Sequence, residues 1–501
     1  MKSTTIGLVM INDEREHVYT QNNAENMVVL NKWAEIIRKK LKNVDGSTPE
    51  VVVGSEIITS VRVAQKVGEE LSKANVKQII MCYNVWNFPF LVWPFLNTLG
   101  HDIPVLSLSN NNGKFPGNVG LLATDGSLRQ AGIRTHRIIG EIDDEEIQNK
   151  VIDWIRGSLA LTTIQNEVYG LYGGPSMGME TGYFQLIPTI KTLGTTVRQI
   201  DQYLLIKTIE NKVDKQEVEK GLKWFEDLLG DRLLYDGNML TPDTLKNQIR
   251  IYLAMELLNK EKGFDYCGLK GQRELTEHYT LGDVPEMLMN DPYDWRGSKE
   301  PVVCATEADA NAALTMQLLK YISGGLPTLF MDVRLYHPDK DIWDMCNSGN
   351  HSSYYANLSM KPEENFKKIT FHPALEYYFK AGGASVEFDA AATPLTFARL
   401  GFWNEKPYMV IIPGKSVELP AEKRKELNQQ TDPTWPHVHA KLDCSFEEFV
   451  DIFPANHIQA VVGDRTRVLK YMCEIAGIKP IIPSSKEKEY KDKDPIWERI
   501  K

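Results

Sequence analysis

Two carboxylates stand at the ends of apolar runs in the stretch 301–338, PVVCATEADANAALTMQLLKYISGGLPTLFMDVRLYHP. PVVCAT is short, β-prone and opened by proline, so it reads as a strand that stops at Glu307. Residues 309–321 repeat apolar side chains at helical spacing (Ala313, Met316, Leu319), and Ser323-Gly324-Gly325 ends that helix. TLFMDV then reads as the next strand, with Asp332 near its end. A strand–helix–strand unit is expected to be parallel and right-handed, which brings both carboxylates to one sheet edge, where open α/β sheets bind ligands. Two carboxylates meeting there allow a hard-metal site, a general acid/base pair, or both. The plain alternative is a pair of solvated loop carboxylates, since acidic residues commonly end strands and cap helices. Five histidines follow, at 351, 372, 437, 439 and 457. His457 comes after Pro454-Ala455-Asn456 and opens the strand-like IQAVVG. An imidazole there could complete a Glu, Asp and His set. Such a set suits Mn²⁺ and, less selectively, Mg²⁺, Co²⁺ or Fe²⁺. Against this stands an ordinary structural or surface histidine.

The elements that must position these groups fall into three zones. Residues 1–165 alternate strand and helix patterns: TTIGLVMI, EVVVGSEI, VKQIIMCY and PVLSLS as strands, with an amphipathic helix from Asn23 to Leu41 and another in VRVAQKVGEELSKA. No GxGxxG opens these helices, so a dinucleotide site is not indicated. The loop NNNGKFPGN (110–118) is either a binding loop or a plain connection. The pattern restarts near Asn166, and residues 166–335 form the expected second α/β domain, carrying Glu307 and Asp332. Glycines in YGGPSMGMETG would let a ligand approach the backbone, but the P-loop signature is absent. Lys270-Gly271-Gln272-Arg273 ends the strand FDYCGL on the edge assigned to Glu307. Residues 336–501 carry short strands (ASVEF, LTFARLGFW, YMVIIPG, HIQAVVGD) with frequent turn signals, which predicts an antiparallel sheet or barrel with a helix or two. The charged tail SSKEKEYKDKDPIWERIK reads as solvent-exposed, with Trp497 as an anchor.

Composition narrows the function classes. A net charge of −10 over 501 residues argues against a general nucleic-acid binder, which would present a basic face. No run of 18 apolar residues predicts a membrane span, and the start of the chain reads as a first strand and not as a signal peptide. The six cysteines are scattered without CxxC or zinc spacing, so they read as buried free thiols in a reducing cytoplasm.

Ordered blocks over most of the chain carry a resemblance: YGGPSMGM (172–179), GLKGQRELTEHY (268–279), YDWRGSKEPVVCATEADANAALTM (293–316), TLFMDVR (328–334), NSG (347–349), FKAGG (379–383), GKSVELP (414–420), TDPTWP (431–436) and PANH (454–457). In this order they resemble the L-fucose isomerase family, which is related to the L-arabinose isomerases. The resemblance implies two Rossmann-like α/β domains followed by a β-rich, barrel-like C-terminal domain. It implies an Mn²⁺-dependent aldose–ketose isomerase working through an enediol, with Glu307, Asp332 and His457 as metal ligands and the two carboxylates as the proton-transfer pair. It implies a homo-hexamer in which Arg15 and Trp86 of a neighbouring subunit complete the sugar site, with Met177, Gln272, Trp435 and Asn456 lining it.

The chain also departs from the family. It looks shorter than typical L-fucose isomerases, and Ala384 follows Gly382-Gly383 where those enzymes carry an aromatic. His351 falls just after NSG, where L-arabinose isomerases place a metal-binding histidine in a comparable region, so it is a candidate fourth ligand. These changes bear on the far end of the sugar, and the substrate is left open among a 6-deoxy sugar, a pentose and a C6-sulfonated sugar such as sulfoquinovose. An anionic tail would call for Arg15, Arg273, His437 or His439. The alternatives are a non-catalytic sugar-binding protein on the same scaffold, and a metal-dependent aldolase or hydrolase.

Overall fold

A computed structural model describes residues 5–112, 115–349, 351–484 and 496–500. Residues 113–114 of the asparagine-rich loop and the side chain of Trp497 lie outside the described residues. The chain forms two compact units: residues 1–163 with 467–476, and residues 164–466 with 477–501.

The first unit holds a parallel sheet of β1 (Thr5–Met10), β2 (Glu50–Val53), β3 (Val76–Tyr83), β4 (Val105–Ser109) and β5 (Thr135–Ile139), in the order β2-β1-β3-β4-β5. Every residue of β1 is buried, as expected for a strand covered on both faces. The helix Asn23–Lys40 packs Leu30, Trp33 and Ile37 on it, together with Trp154 and Tyr471. Arg467, at the start of the helix Thr466–Ala476, pairs with Asp153 at 2.6 Å.

The second unit contains two sheets. β6 (Val168–Tyr172), β7 (Thr196–Ile200), β8 (Tyr266–Leu269) and β9 (Cys304–Ala305) form a parallel sheet in the order β9-β8-β6-β7. β10 (Leu329–His337), β11 (Ile342–Cys346), β12 (Thr393–Trp403), β13 (Lys406–Ser416), β14 (His437–Leu442) and β15 (His457–Val462) form an antiparallel sheet in the order β12-β15-β10-β11-β14-β13. Pairing of β12 with β13 along their whole length closes it into a barrel, and a short strand, β16 (Lys479–Ile481), adds in parallel to β13. Closure leaves the barrel strands no free edge. The chain therefore has the expected parallel α/β sheets and the barrel-like C-terminal part.

The expected path between the two carboxylates is corrected. β9 and β10 are not parallel neighbours: β9 ends the parallel sheet, and β10 enters the barrel between β15 and β11. Asp332 is the fourth residue of nine in β10, not near its end. The cause is the helix between them, Ala310–Ile322, in which every residue is buried. It packs on β8 and β9 and also on β12 and β15. A helix buried on all sides can lie between two layers, so the chain leaving it need not return to the first sheet.

A close approach aims the turn after β9. Glu307 and Ala308 both adopt left-handed backbone conformations, with φ of 53° and 55°. Such strain in non-glycine residues persists only where surroundings hold it. Tyr169 Oη donates to the Ala308 carbonyl at 3.2 Å, and Gly268 of β8 leaves room for the turn: a Cβ there would lie 3.1 Å from Ala308 Cα and against the Tyr169 hydroxyl. Gly268→Ala is expected to destabilise the protein by about 1–3 kcal/mol through overpacking. A thermal midpoint unchanged from wild type would contradict this role for the glycine.

Candidate active site

Strand register builds one polar row. His457 of β15 lies opposite Asp332 of β10, Asp332 opposite Cys346 of β11, and Cys346 opposite His437 of β14. Directly opposed residues project to the same face. The alternate positions Met331, Met345, Val438 and Ile458 belong to the main apolar cluster. Glu307 arrives at this face from the other sheet. His457 Nε2 stands 3.2 Å from Glu307 Oε2 and 3.1 Å from Asp332 Oδ1. The three residues singled out in the sequence thus meet, though by a route the sequence did not suggest.

The imidazole is fixed from behind. His457 Nδ1 pairs at 2.7 Å with Oδ2 of Asp309, a buried carboxylate that also receives Arg399 Nη1 at 2.9 Å. A carboxylate that accepts at Nδ1 fixes that nitrogen as an N–H, which turns Nε2 toward the two other carboxylates. Nε2 is buried and forms no well-directed hydrogen bond. Burial works against charge on His457, yet Asp309, Asp332 and Glu307 together hold its pKa well above the usual value. Burial likewise works against charge on Asp309, but Arg399 and His457 hold its carboxyl well below the usual range. A buried nitrogen between two carboxylates attracts positive charge. The donor set, two carboxylates and one imidazole whose Nε2 proton a cation would replace, fits a divalent cation.

The block motifs support this arrangement. Asn347 Nδ2 donates to Asp332 Oδ2 at 3.0 Å, and Asn456 Nδ2 lies 3.5 Å from Asp332 Oδ1. Ser348 donates to Asp283, which anchors the NSG turn. Arg334 Nη1 stands 3.9 Å from Asp332; its Nη2 donates to Asp432 at 3.0 Å, and its guanidinium lies over the Trp435 ring at 5.3 Å. Trp435 packs against Tyr378, whose carbonyl accepts from Gln272 Nε2 at 3.4 Å. Ser176 Oγ donates to the Gln272 carbonyl at 3.3 Å, and beside it Met177 is 56% exposed. Asp332, Asn456, Trp435 and Gln272 are therefore linked through successive contacts, and Met177 follows Ser176 in the chain. Arg15 and Trp86 lie in the first unit, after β1 and β3: Arg15 pairs with Asp13 at 2.6 Å, and Trp86 packs edge-on to Phe88 at 6.4 Å.

Two expectations about histidines change. His437 and His439 are not open to an anionic sugar tail, because both are buried and face acidic groups. His437 Nδ1 pairs with Asp344 at 2.8 Å and its Nε2 with the Asp432 carbonyl at 2.9 Å. His439 Nδ1 lies 3.6 Å from Asp389, and burial lowers the His439 pKa to about 4. Arg273 points to Glu277 at 3.4 Å. Ligand atoms of Asp344, Cys346 and His437 also lie within 4.8 Å of one another, so this trio is a second place where a cation could fit. It differs from the first in that both His437 nitrogens already have partners. All six cysteines are free and buried, as the sequence suggested.

Comparisons with known proteins give the family. Residues 3–166 match the L-fucose isomerase first N-terminal domain, 254–324 its second N-terminal domain and 345–482 its C-terminal domain. The chain belongs to the L-fucose isomerase family. It is 26% identical over 466 residues to the L-fucose isomerase of Haemophilus influenzae, covering 80% of this chain and 78% of that protein. It is also 26% identical to the L-fucose isomerases of Streptococcus pneumoniae (strain Hungary19A-6; 85% of this chain, 82% of the relative) and Bacteroides thetaiotaomicron (84% and 82%). Among the described residues no helix is long and apolar enough to cross a membrane.

The sequence reading missed Asp309 and Arg399. Asp309 reads as a helix cap, which it also is: its Oδ1 accepts from Ala312 N–H at 2.8 Å. Nothing local to it signals the histidine 148 positions away.

His351 is 1% exposed, with neither ring nitrogen in a well-formed hydrogen bond, and burial pushes its pKa from 6.5 down to about 3. The folded state keeps it neutral while the unfolded chain takes up the proton. Its contribution to stability is thus complete above pH 6.5 and is lost as pH falls toward 3. Between pH 6.5 and 5 the loss amounts to about 2 kcal/mol. His351→Gln is expected to lose less of its thermal midpoint over that interval than wild type. Equal losses would contradict a neutral buried imidazole.

Proposed function

We propose that this protein is a metal-dependent aldose–ketose isomerase acting on a monosaccharide through an enediol intermediate. The observation that carries the reading is His457 Nε2, buried between Glu307 and Asp332 at 3.2 and 3.1 Å. Family membership and the L-fucose isomerase relatives support the reaction class. We assign Glu307, Asp332 and His457 to a divalent cation, Mn²⁺ first with Co²⁺ or Mg²⁺ as alternatives and His351 as a candidate fourth donor, which when bound supplies Lewis-acid stabilisation of the charge developing on the sugar oxygens at C1 and C2.

The chain's own residues then have distinct tasks. One of the two carboxylates, Glu307 or Asp332, takes the proton from C2 and the same or the other one returns it to C1. Asp332 has its oxygens beside Asn347 and Asn456, so its carboxylate is held still while the hydroxyl proton moves between the two sugar oxygens. Gln272 and Asn456 offer amides to sugar hydroxyls, and Trp435 and Met177 present apolar surface that excludes water. Arg15 and Trp86 act from the first domain of a neighbouring subunit in a homo-hexamer. With His437 and His439 buried against acidic partners, Arg15 and Arg273 are the remaining candidates for an anionic group on the sugar, and the substrate class stays a 6-deoxy sugar, a pentose or a C6-sulfonated sugar.

The test is an NMR assay in D₂O. Metal-stripped protein is given Mn²⁺ and L-fucose, D-arabinose, L-arabinose or sulfoquinovose. The expected result is Mn²⁺-dependent ketose formation with deuterium at the transferred position, and a loss of about 10²–10⁴-fold in turnover for a folded Glu307→Gln variant. Sugar binding without conversion or exchange would favour the sugar-binding protein, and cleavage products would favour an aldolase.

A further inference from the structure

Asp309 sits where three structural demands meet. Its Oδ1 caps the helix Ala310–Ile322 through the Ala312 N–H. Its Oδ2 pairs with His457 Nδ1 at 2.7 Å and receives Arg399 Nη1 at 2.9 Å, and Arg399 Nη2 reaches Oδ1 at 3.2 Å. Arg399 also donates from Nη2 to the Thr181 carbonyl at 3.0 Å. Both partners of Asp309 are buried, Arg399 completely. The residue is two positions from Glu307, on the far side of the left-handed turn. One carboxylate thus ties the turn carrying Glu307 to the barrel strand carrying His457.

We propose that Asp309 is a positioning residue that holds His457 as the Nδ1–H tautomer and so keeps Nε2 open to a cation, with Arg399 serving to hold Asp309. This inference rests on the reading of Glu307, Asp332 and His457 as a cation site. Asp309 itself touches neither substrate nor reacting atom. An asparagine in its place fills the same space and remains a good helix cap. Its amide oxygen can still face Arg399, but then its NH₂ faces Nδ1 and demands an acceptor there. The ring proton is thereby moved to Nε2, where it opposes the cation.

The experiment is direct titration of the metal-free full-length protein with Mn²⁺, followed by the EPR signal of free Mn²⁺, for wild type, D309N, R399M and H457Q. Wild type is expected to bind one Mn²⁺ per chain at this site and H457Q to lose that binding. D309N is expected to bind about 10–100-fold more weakly, the loss typical when the partner of a liganding histidine is removed. R399M loosens the hold on Asp309 but leaves its carboxylate at Nδ1, and it is expected to weaken binding clearly less than D309N. Should D309N not fold, the neutral pair D309N/R399Q avoids a buried unpaired guanidinium and carries the same expectation. Unchanged Mn²⁺ affinity in a folded Asp309 variant would overturn the positioning role. Equal loss in R399M would reduce it to general packing. Wild type and H457Q binding alike would instead overturn the reading of the site itself.

Discussion

The arrangement of this site depends on one hydrogen bond, from His457 Nδ1–H to the buried carboxylate of Asp309. It decides which nitrogen of the ring faces the gap between Glu307 and Asp332. An imidazole in a three-carboxylate setting could simply take a second proton and become the centre of a salt-bridge cluster. Here one carboxylate is held behind the ring by Arg399 while two stand before it, so the ring is oriented as well as charged. Removing one partner from the buried Asp309–Arg399 pair would leave an uncompensated charge at a cost of about 3–5 kcal/mol. That cost makes the arrangement stiff.

The barrel supplies the second constraint. Because side chains alternate along strands, His457, Asp332, Cys346 and His437 fall on one face in a continuous row across four strands. The row has two ends with different fates. At the β14 end, His437 is closed by Asp344 and a backbone carbonyl. At the β15 end, one nitrogen of His457 is closed and the other is open. The same residue types in the same sheet give a closed polar knot in one place and a candidate reaction centre in the other. The difference lies in what each ring nitrogen already holds.

Much of this was legible in the chain. The parallel α/β rhythm, the helix after Glu307 and the antiparallel C-terminal strands follow from periodicity and turn residues. Glu307, Asp332 and His457 stood out as chemistry-bearing groups at strand ends. The partner sheet of β10 was not legible, because a helix buried on every side carries no mark of which layer its continuation joins. Nor were the pairings of His437 and His439, since burial of a histidine beside an aspartate depends on barrel closure. Arg399 lies 90 positions from Asp309 in an apolar strand, LTFARLGFW, in phase with Leu395 and Phe397, and nothing beside it marks its partner. Long-range polar pairs of this kind leave no local signal.

The most direct measurement is anomalous diffraction at the manganese edge from crystals soaked in Mn²⁺. The account predicts one strong peak enclosed by Glu307, Asp332 and His457 Nε2, with His457 Nδ1 still bonded to Asp309. A peak among Asp344, Cys346 and His437 with none at His457 would contradict it, as would saturating Mn²⁺ with no ordered peak at either place.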